Sequence, residues 1–354
     1  MEEKKCPKCE LLPEFPNQPV NLYLYAEIDF LMLKLLDRLK QTGVTFKTEG
    51  PMVIVFNQDF RQFLDFLRNL EFSLPEQEEI KLCYAEGDEG IFSLFPRFKP
   101  LKSWLSRILY EEYLEILREN RLTVHFHPII NFANKTVFGF ECLIRGVKKN
   151  GDLMYPNYLF EAARQTDTLF YLDRSCREIA IKTSAIKNLK DFKIFINFLP
   201  TAIYDPNFCL RNTVKWAYQL EWNPKNLVFE VVESEKVQDL NHLKQVLDYY
   251  RANGFLVALD DVGTGYGSLD TLIKLHPDFI KISRELIDRI DQNTLKFDLV
   301  EGIVKSAKRN KIEVIAEGIE RIEEAKALSE LGVKFMQGYL FAKPNPEPIL
   351  EINF

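Results

Sequence analysis

Repeated β–α units from Leu122 onward, behind a smaller α+β domain, make this an α/β protein built on a parallel barrel or a doubly wound sheet. Three observations carry that expectation. Short apolar runs alternate with amphipathic helical stretches along the C-terminal part of the chain. Polar residues recur at the carboxyl ends of those runs, at Asn197, Glu230, Asp260, Asp261, Lys281 and Glu317, which is where a barrel keeps its chemistry. The 354 residues, 46% hydrophobic and 28% charged, suit a globular chain with room for one large domain and a small one.

Residues 1–19, rich in Pro and Cys, read as an irregular arm. An apolar strand (Asn21 to Ala26) and an amphipathic helix (Phe30 to Thr42) follow. Two strands, Val44 to Lys47 and Met52 to Phe56, are joined by a turn at Glu49-Gly50-Pro51. A helix from Gln58 to Leu70 and a strand from Ile80 to Tyr84 complete a βαββαβ order, a ferredoxin-like arrangement. This small regulatory or sensory domain spans residues 1–100, a linker helix 101–121, and the large domain 122–354. The strand candidates of the large domain are Thr123 to Ile130, Val137 to Ile144, Lys193 to Phe198, Leu227 to Val232, Phe255 to Leu259, Phe279 to Ile282, Glu313 to Ala316 and Phe335 to Phe341. Helical patterns such as Tyr158 to Lys187 and Leu240 to Ala252 separate them.

A net charge of −6 and a pI near 5.5 argue against a nucleic-acid polymer as partner. The apolar stretch Leu22 to Leu39 is interrupted by Glu27, Asp29, Lys34, Asp37 and Arg38, so it predicts no membrane span. The first residues hold no apolar signal core, and six scattered cysteines fit a reducing compartment, so the expected location is cytoplasmic. Cys6 and Cys9 form a C-x-x-C pair. It is half of a metal site that Cys83 or a second copy would have to complete, or a free thiol pair or reversible disulfide.

The chemistry centres on Leu259-Asp260-Asp261-Val262-Gly263-Thr264-Gly265-Tyr266-Gly267. Adjacent carboxylates at the end of an apolar run repel unless a cation neutralises them. Magnesium-like cations take oxygen ligands and often sit on one or two carboxylates beside a phosphate.

Further motifs follow in order: Glu141-Cys142-Leu143 with Ile144-Arg145, Ile196-Asn197, Phe229-Glu230-Val231-Val232-Glu233, the Asp260-Asp261 stretch, Ile280-Lys281-Ile282, Ala316-Glu317-Gly318-Ile319-Glu320 and Gln337-Gly338-Tyr339. In this set and order, residues 122–346 resemble the EAL domain, the cyclic di-GMP phosphodiesterase family. The resemblance implies a (β/α)8 TIM-like barrel that hydrolyses cyclic di-GMP to linear pGpG with Mg2+ or Mn2+ at a two-metal site. It implies Glu141, Asn197, Glu230 and Asp260 as ligands of one metal, with Asp260 and Asp261 reaching the second. Lys281 would hold the attacking water, and Glu317 would act as base or ligand. Glu320 and Gln337 would support metal and water. Arg145, Leu143, His127 and Gln337 would stand on the substrate side, with Arg145 paired to a phosphate. Glu233 would anchor the loop Asp261 to Ser268, near which a homodimer would form.

The chain departs from the family pattern at four places. Cys142 stands for Ala, His127 for Gln, Leu199 for Ser and Ser283 for Asp. Ser283, two residues past Lys281, removes an expected support of the metal shell, a class of loss that costs roughly 10- to 100-fold. The expectation is an active, slowed phosphodiesterase regulated through its N-terminal domain. The alternative is a non-hydrolysing cyclic di-GMP receptor.

Overall fold

A computed structural model describes residues 6, 8–87, 89–232, 239–263 and 274–354. They divide into two compact units. One comprises residues up to Glu119 together with Phe160–Leu169; the other comprises Asn120–Leu159 and Phe170–Phe354.

The first unit holds strands β1 (Val20–Tyr25), β2 (Phe46–Glu49), β3 (Met52–Gln58), β4 (Lys81–Ala85) and β5 (Lys99–Pro100), in the antiparallel order β2-β3-β1-β4-β5. Helices Asp29–Thr42 and Phe60–Asn69 lay Leu35, Leu39, Phe63 and Leu67 on one face of this sheet, against Leu22, Leu24, Val53 and Val55. Tyr23, Ile54 and Cys83 alternate onto the other face with Leu94. Local signals set the ends. Asp59 accepts from the Gln62 amide at 2.8 Å, Gly43 closes the first helix at φ 71°, and Gly50 makes the hairpin turn at φ 57°. A short helix at Leu74–Glu79, opened by a Ser73–Glu76 capping box, was not expected.

Two long helical patterns are each broken. The expected linker helix is two helices, Leu101–Leu109 and Glu111–Arg118, parted where Tyr110 leaves helical geometry at φ −104° and ψ 30°. The pattern Tyr158 to Lys187 is also two, Pro156–Gln165 and Leu169–Ile186. Asp167 sits between them at φ 60°, and the Thr166 hydroxyl donates to the Ala162 carbonyl at 2.7 Å. Hydrophobic period alone does not reveal such backbone breaks.

The second unit is an eight-stranded closed barrel. Its strands are β6 (Leu122–Asn131), β7 (Thr136–Val147), β9 (Lys193–Phe198), β10 (Leu227–Val232), β11 (Leu256–Val262), β12 (Phe279–Ile282), β13 (Glu313–Ala316) and β14 (Phe335–Met336). The two-residue β8 (Leu153–Met154) pairs only on the outside of β7. Strands β7 and β9 to β14 run parallel, while β6 is antiparallel to both neighbours, β7 and β14. The all-parallel expectation is corrected at that strand, because a tight turn between β6 and β7 leaves no room for a crossover helix. The expected strand Phe335 to Phe341 stops at Met336. Gly338 approaches the Ile319 backbone so closely that a Cβ there would lie 2.3 Å from its nitrogen, and the chain then turns, with the Phe341 amide on the Gly338 carbonyl.

One apolar layer runs around the barrel interior: Ile129, Phe138, Phe195, Val228, Ala258, Phe279, Ile315 and Phe335. Phe138 and Phe335 stack at 3.9 Å, and Phe195 meets Phe279 edge-on at 5.3 Å. Phe138 reaches this layer through a register shift in the β6–β7 pairing, beside Gly139, whose Cβ would strike the Lys193 carbonyl at 2.3 Å. Because side chains alternate along a strand, the residue two positions on from each member on β9 to β14 also faces inward. Replacing Phe279 by Ala is expected to cost about 3–5 kcal/mol of stability. Urea unfolding of the full chain checks it, and a loss below ~1 kcal/mol would deny that this layer is a shared core.

Candidate active site

Two residues beyond the apolar layer, the parallel strands present Asn197 (after Phe195), Glu230 (after Val228), Asp260 (after Ala258), Lys281 (after Phe279), Glu317 (after Ile315) and Gln337 (after Phe335). Glu141 joins them from β7, whose pairing sets it opposite His127. The barrel thus gathers seven polar side chains at the carboxyl ends of its strands.

Lys281 is the hub. It is fully buried, and its Nζ lies 2.5 Å from Glu317, 3.3 Å from both oxygens of Glu230, 3.4 Å from Glu141 and 3.7 Å from Asp260. Burial alone would lower its pKa, but the four carboxylates hold it well above the ordinary lysine value. Those acids exceed what one ammonium can neutralise. Burial pushes Glu230 and Glu317 well above the usual carboxylate range, and the neighbouring acids add to it against the opposing pull of Lys281. Asp261 rises for the same reasons, burial first and Asp260 next. Glu141 goes the other way. Burial opposes its ionisation, but Lys281, His127 and two amide donors outweigh it: Gln337 Nε2 at 2.9 Å and Asn197 Nδ2 at 3.0 Å.

Neighbouring residues on a strand normally face opposite ways, so Asp260 and Asp261 need a device to act together. The β11–β12 pairing shifts register between Leu259 and Val262, and Asp261 adopts φ 56°. That left-handed backbone, tolerated better by Asp than by most residues, costs on the order of 1–3 kcal/mol and marks functional sites. It brings Asp260, Asp261 and Glu317 into one group whose ligand atoms lie within 4.8 Å of each other.

The residues fit a hard divalent cation. Asn197 spends its amide nitrogen on Glu141, which leaves its Oδ1 buried without a hydrogen-bond partner, and the Gln337 Oε1 is likewise unpartnered. Oxygen donors with no thiolate or imidazole among them suit magnesium or manganese better than zinc. Five carboxylates against one ammonium carry a formal −4 when all are ionised, which two divalent cations cancel.

Other candidate residues surround this basin. Arg145 is buried, packs its guanidinium 4.9 Å from the centre of the Tyr155 ring, donates to the Ile144 carbonyl at 2.7 Å, and keeps Nε without a partner. Leu143 lies between Glu141 and Arg145 on the same face of β7. His127 is held in its neutral form by burial, with Nε2 unpartnered and Tyr339 6.1 Å away. Glu320 stands apart from the Lys281 cluster, half-exposed and paired with Arg284 at 2.7 Å. Cys142 is buried, 3.5 Å from the Ser184 hydroxyl. Ser283 is buried with Oγ unpartnered. Glu233 and the loop 264–268 lie outside the described residues.

Sequence reasoning missed a buried support behind Asn197. Asp173 accepts from the Leu199 amide at 2.9 Å and is ion-paired to Arg177, which reaches Thr213 at 3.2 Å. This fixes the turn that follows Asn197. An i,i+4 Asp–Arg pair on a helix reads as a surface pair, so nothing in the sequence marks it as buried. In the N-terminal unit, Cys6 and Cys9 are not joined by a disulfide, and among the described residues no cysteine belongs to a group of three or more potential metal ligands.

A closed β–α barrel that gathers acidic side chains at the carboxyl ends of its strands has them where barrel enzymes place their chemistry. The chain belongs to the EAL domain family, whose model matches residues 110–344. It is 31% identical over 237 residues to the probable cyclic di-GMP phosphodiesterase PdeG of Escherichia coli (strain K12), which covers 65% of this chain and 46% of that protein. The chain therefore spans about half of that relative's length. Among solved structures, a standalone versatile EAL protein from Vibrio cholerae O395, in its c-di-GMP bound form, is 35% identical with a TM-score of 0.59, covering 66% of this chain and 95% of that one. The calcium and cy-diGMP complex of Klebsiella pneumoniae BlrP1 covers 95% of this chain and 98% of that one at a TM-score of 0.60, and at 22% identity that likeness is one of fold. No described helix is long and apolar enough to cross a membrane.

The raised acids give a pH dependence in chelator. Glu230 and Glu317 keep protons in the folded chain where the unfolded chain, with ordinary values near 4.5, has lost them. The folded state then binds more protons, so stability falls as pH rises above about 4.5. Depressed Glu141 acts oppositely and only below that value, and Lys281 is constant up to its ordinary 10.5. His127 and His125, whose burial lowers them from the ordinary 6.5, act oppositely below that value, so melting midpoints in EDTA are expected to drop between pH 7 and pH 8, and added Mg2+ or Mn2+ should reverse the drop. A midpoint that climbs over that range contradicts this charge balance.

Proposed function

We propose that this chain is a divalent-cation-dependent phosphodiesterase that opens cyclic di-GMP to linear pGpG. The observation that carries the reading is the lysine-centred basin of five carboxylates, made possible by the left-handed turn at Asp261. Glu141, Asn197, Glu230 and Asp260 would hold one cation, and Asp260 with Asp261 the second. Bound divalent cations would make a coordinated water a stronger acid and offset the charge of the phosphodiester. Lys281 orients the attacking water and keeps Glu317 turned into the basin, where Glu317 takes the proton. The water oxygen bonds to phosphorus, the bridging P–O3′ bond breaks, and the proton ends on the released 3′ oxygen.

Arg145 donates to a phosphate oxygen, its guanidinium packed on Tyr155 and its Nε unpaired. His127 and Leu143 border the substrate, and neutral His127 offers Nε2 to a base. Gln337 and Glu320 act on the shell, Gln337 by donating to Glu141. The reading extends to a homodimer, to control through the N-terminal unit, and to Glu233 as the anchor of the neighbouring loop; the family resemblance is its support there. Light scattering that gives a mass equal to one chain would remove the dimer.

A second reading, a receptor that binds cyclic di-GMP without hydrolysing it, rests on Ser283. Its buried, unpartnered hydroxyl leaves Lys281 without the acid the family pattern supplies there. Incubation with cyclic di-GMP and Mg2+ or Mn2+ separates the two. Formation of pGpG that is lost in Asp260→Asn, and reduced at least about 100-fold in Lys281→Met, is expected. No pGpG above the Asp260→Asn control sinks the enzyme reading. Ser283→Asp should raise the rate by roughly 10-fold or more; an unchanged rate would show that the serine costs nothing.

A further inference from the structure

The N-terminal unit contains a buried cationic group that makes no ion pair among the described residues. Arg107, on the helix Leu101–Leu109, is 6% exposed. Its Nε is buried without a hydrogen-bond partner, and among the described residues the guanidinium makes no ion pair. The acid that attracts it most, Asp167, is already taken by Lys8 and Lys99, each at 2.8 Å. Burial pushes Arg107 down to about 10, and Arg118 adds to the repulsion. Buried charges are ordinarily paired, so an orphan of this kind calls for a counter-ion.

Arg107 lines a cavity of about 290 Å3, together with Lys99, Arg97, Tyr84, Trp104 and Glu14. Three of these six are cationic. Arg97 is engaged with Glu89 and Lys99 with Asp167, while Arg107 keeps its Nε buried without a partner. The aromatic wall is rigid. Trp104 donates Nε1 to the Leu82 carbonyl at 2.9 Å, meets Phe60 edge-on at 4.9 Å and Tyr84 at 6.0 Å, and carries the Arg107 guanidinium 4.3 Å above its ring. A planar fork held over an indole matches a carboxylate or phosphate in two-point contact, and the rings beside it match a flat apolar body. The volume limits the ligand to a small molecule.

We propose that this cavity is a binding site for a small planar acid, a ring carrying a carboxylate or phosphate, with Arg107 taking the oxyanion and Trp104 and Tyr84 taking the ring. It is separate from the barrel basin and does not depend on the phosphodiesterase reading.

The test titrates the full chain with benzoate, phenyl phosphate, acetate and inorganic phosphate, at constant ionic strength in a phosphate-free buffer. EDTA is present throughout, so that cations in the barrel do not report. Melting midpoint and tryptophan emission are read together. At least one ring acid is expected to raise the midpoint and to change the emission saturably, binding ten-fold or more tightly than acetate and phosphate. Arg107→Met should abolish both responses, while its own ligand-free midpoint stays equal to or above that of the parent, because an unpaired buried charge has been removed. A residue with a merely structural role would lower that midpoint. Should Arg107→Met fail to fold, Arg107→Lys keeps the charge, loses the fork, and is expected to bind the ring acid at least ten-fold more weakly. Absence of response to both ring acids, equal response to acetate or phosphate, or a response that survives either variant overturns the proposal.

Discussion

A fully buried lysine is the constraint on which the barrel's chemistry depends. Lys281 can stay charged in the interior only because Glu141, Glu230, Asp260 and Glu317 surround it, and those acids can crowd together only because Lys281 stands between them. Neither side is self-sufficient. The acids outnumber the ammonium, so the protein alone leaves Glu230 and Glu317 strained toward their neutral forms. The surplus of negative charge is thus a property of the whole group, not of any single acid.

The barrel makes this arrangement possible by layering. Below the basin, an aromatic and aliphatic floor of Phe138, Phe195, Phe279, Phe335 and their neighbours excludes water and fixes strand spacing. One side-chain repeat higher, the same strands change from apolar to polar. The period of two along β9 to β14 converts a packed core into a site without any change of backbone course. At Asp261 the backbone itself departs from strand geometry to bring a second adjacent acid to the same side. The cost of that conformation is local, and the floor beneath and the pairing on both sides of β11 maintain it.

The N-terminal unit follows a different logic. Its sheet is packed on both faces, its helix ends are set by caps, and its core is conventional. What stands out is Arg107, a cation buried against Trp104 with its Nε unpartnered. In the barrel a surplus of buried negative charge points to cations. In this unit a buried positive charge points to an anion.

Much of this was legible in the chain. The strand runs at 193–198, 227–232, 279–282 and 313–316 stand where the apolar pattern puts them, because buried parallel strands are continuous apolar segments. The Asp260-Asp261 pair declared a need for a cation through repulsion alone, and the apolar-x-polar triplets Phe195 to Asn197, Val228 to Glu230 and Phe279 to Lys281 encode the step from floor to basin. Other features came only with the tertiary structure. The antiparallel course of β6, the breaks at Tyr110 and Asp167 and the early end of β14 depend on backbone hydrogen bonds and close approaches between distant segments, which composition and period do not carry. The burial of the Asp173–Arg177 pair and of Arg107 was hidden for the same reason. A charged residue on a helix carries no sign of which face is covered until the rest of the chain packs against it. The sequence by itself determined which residues are chemically able to bind cations; the fold decided which of them share a space, since proximity between strands some 30 to 60 residues apart is a property of barrel closure alone.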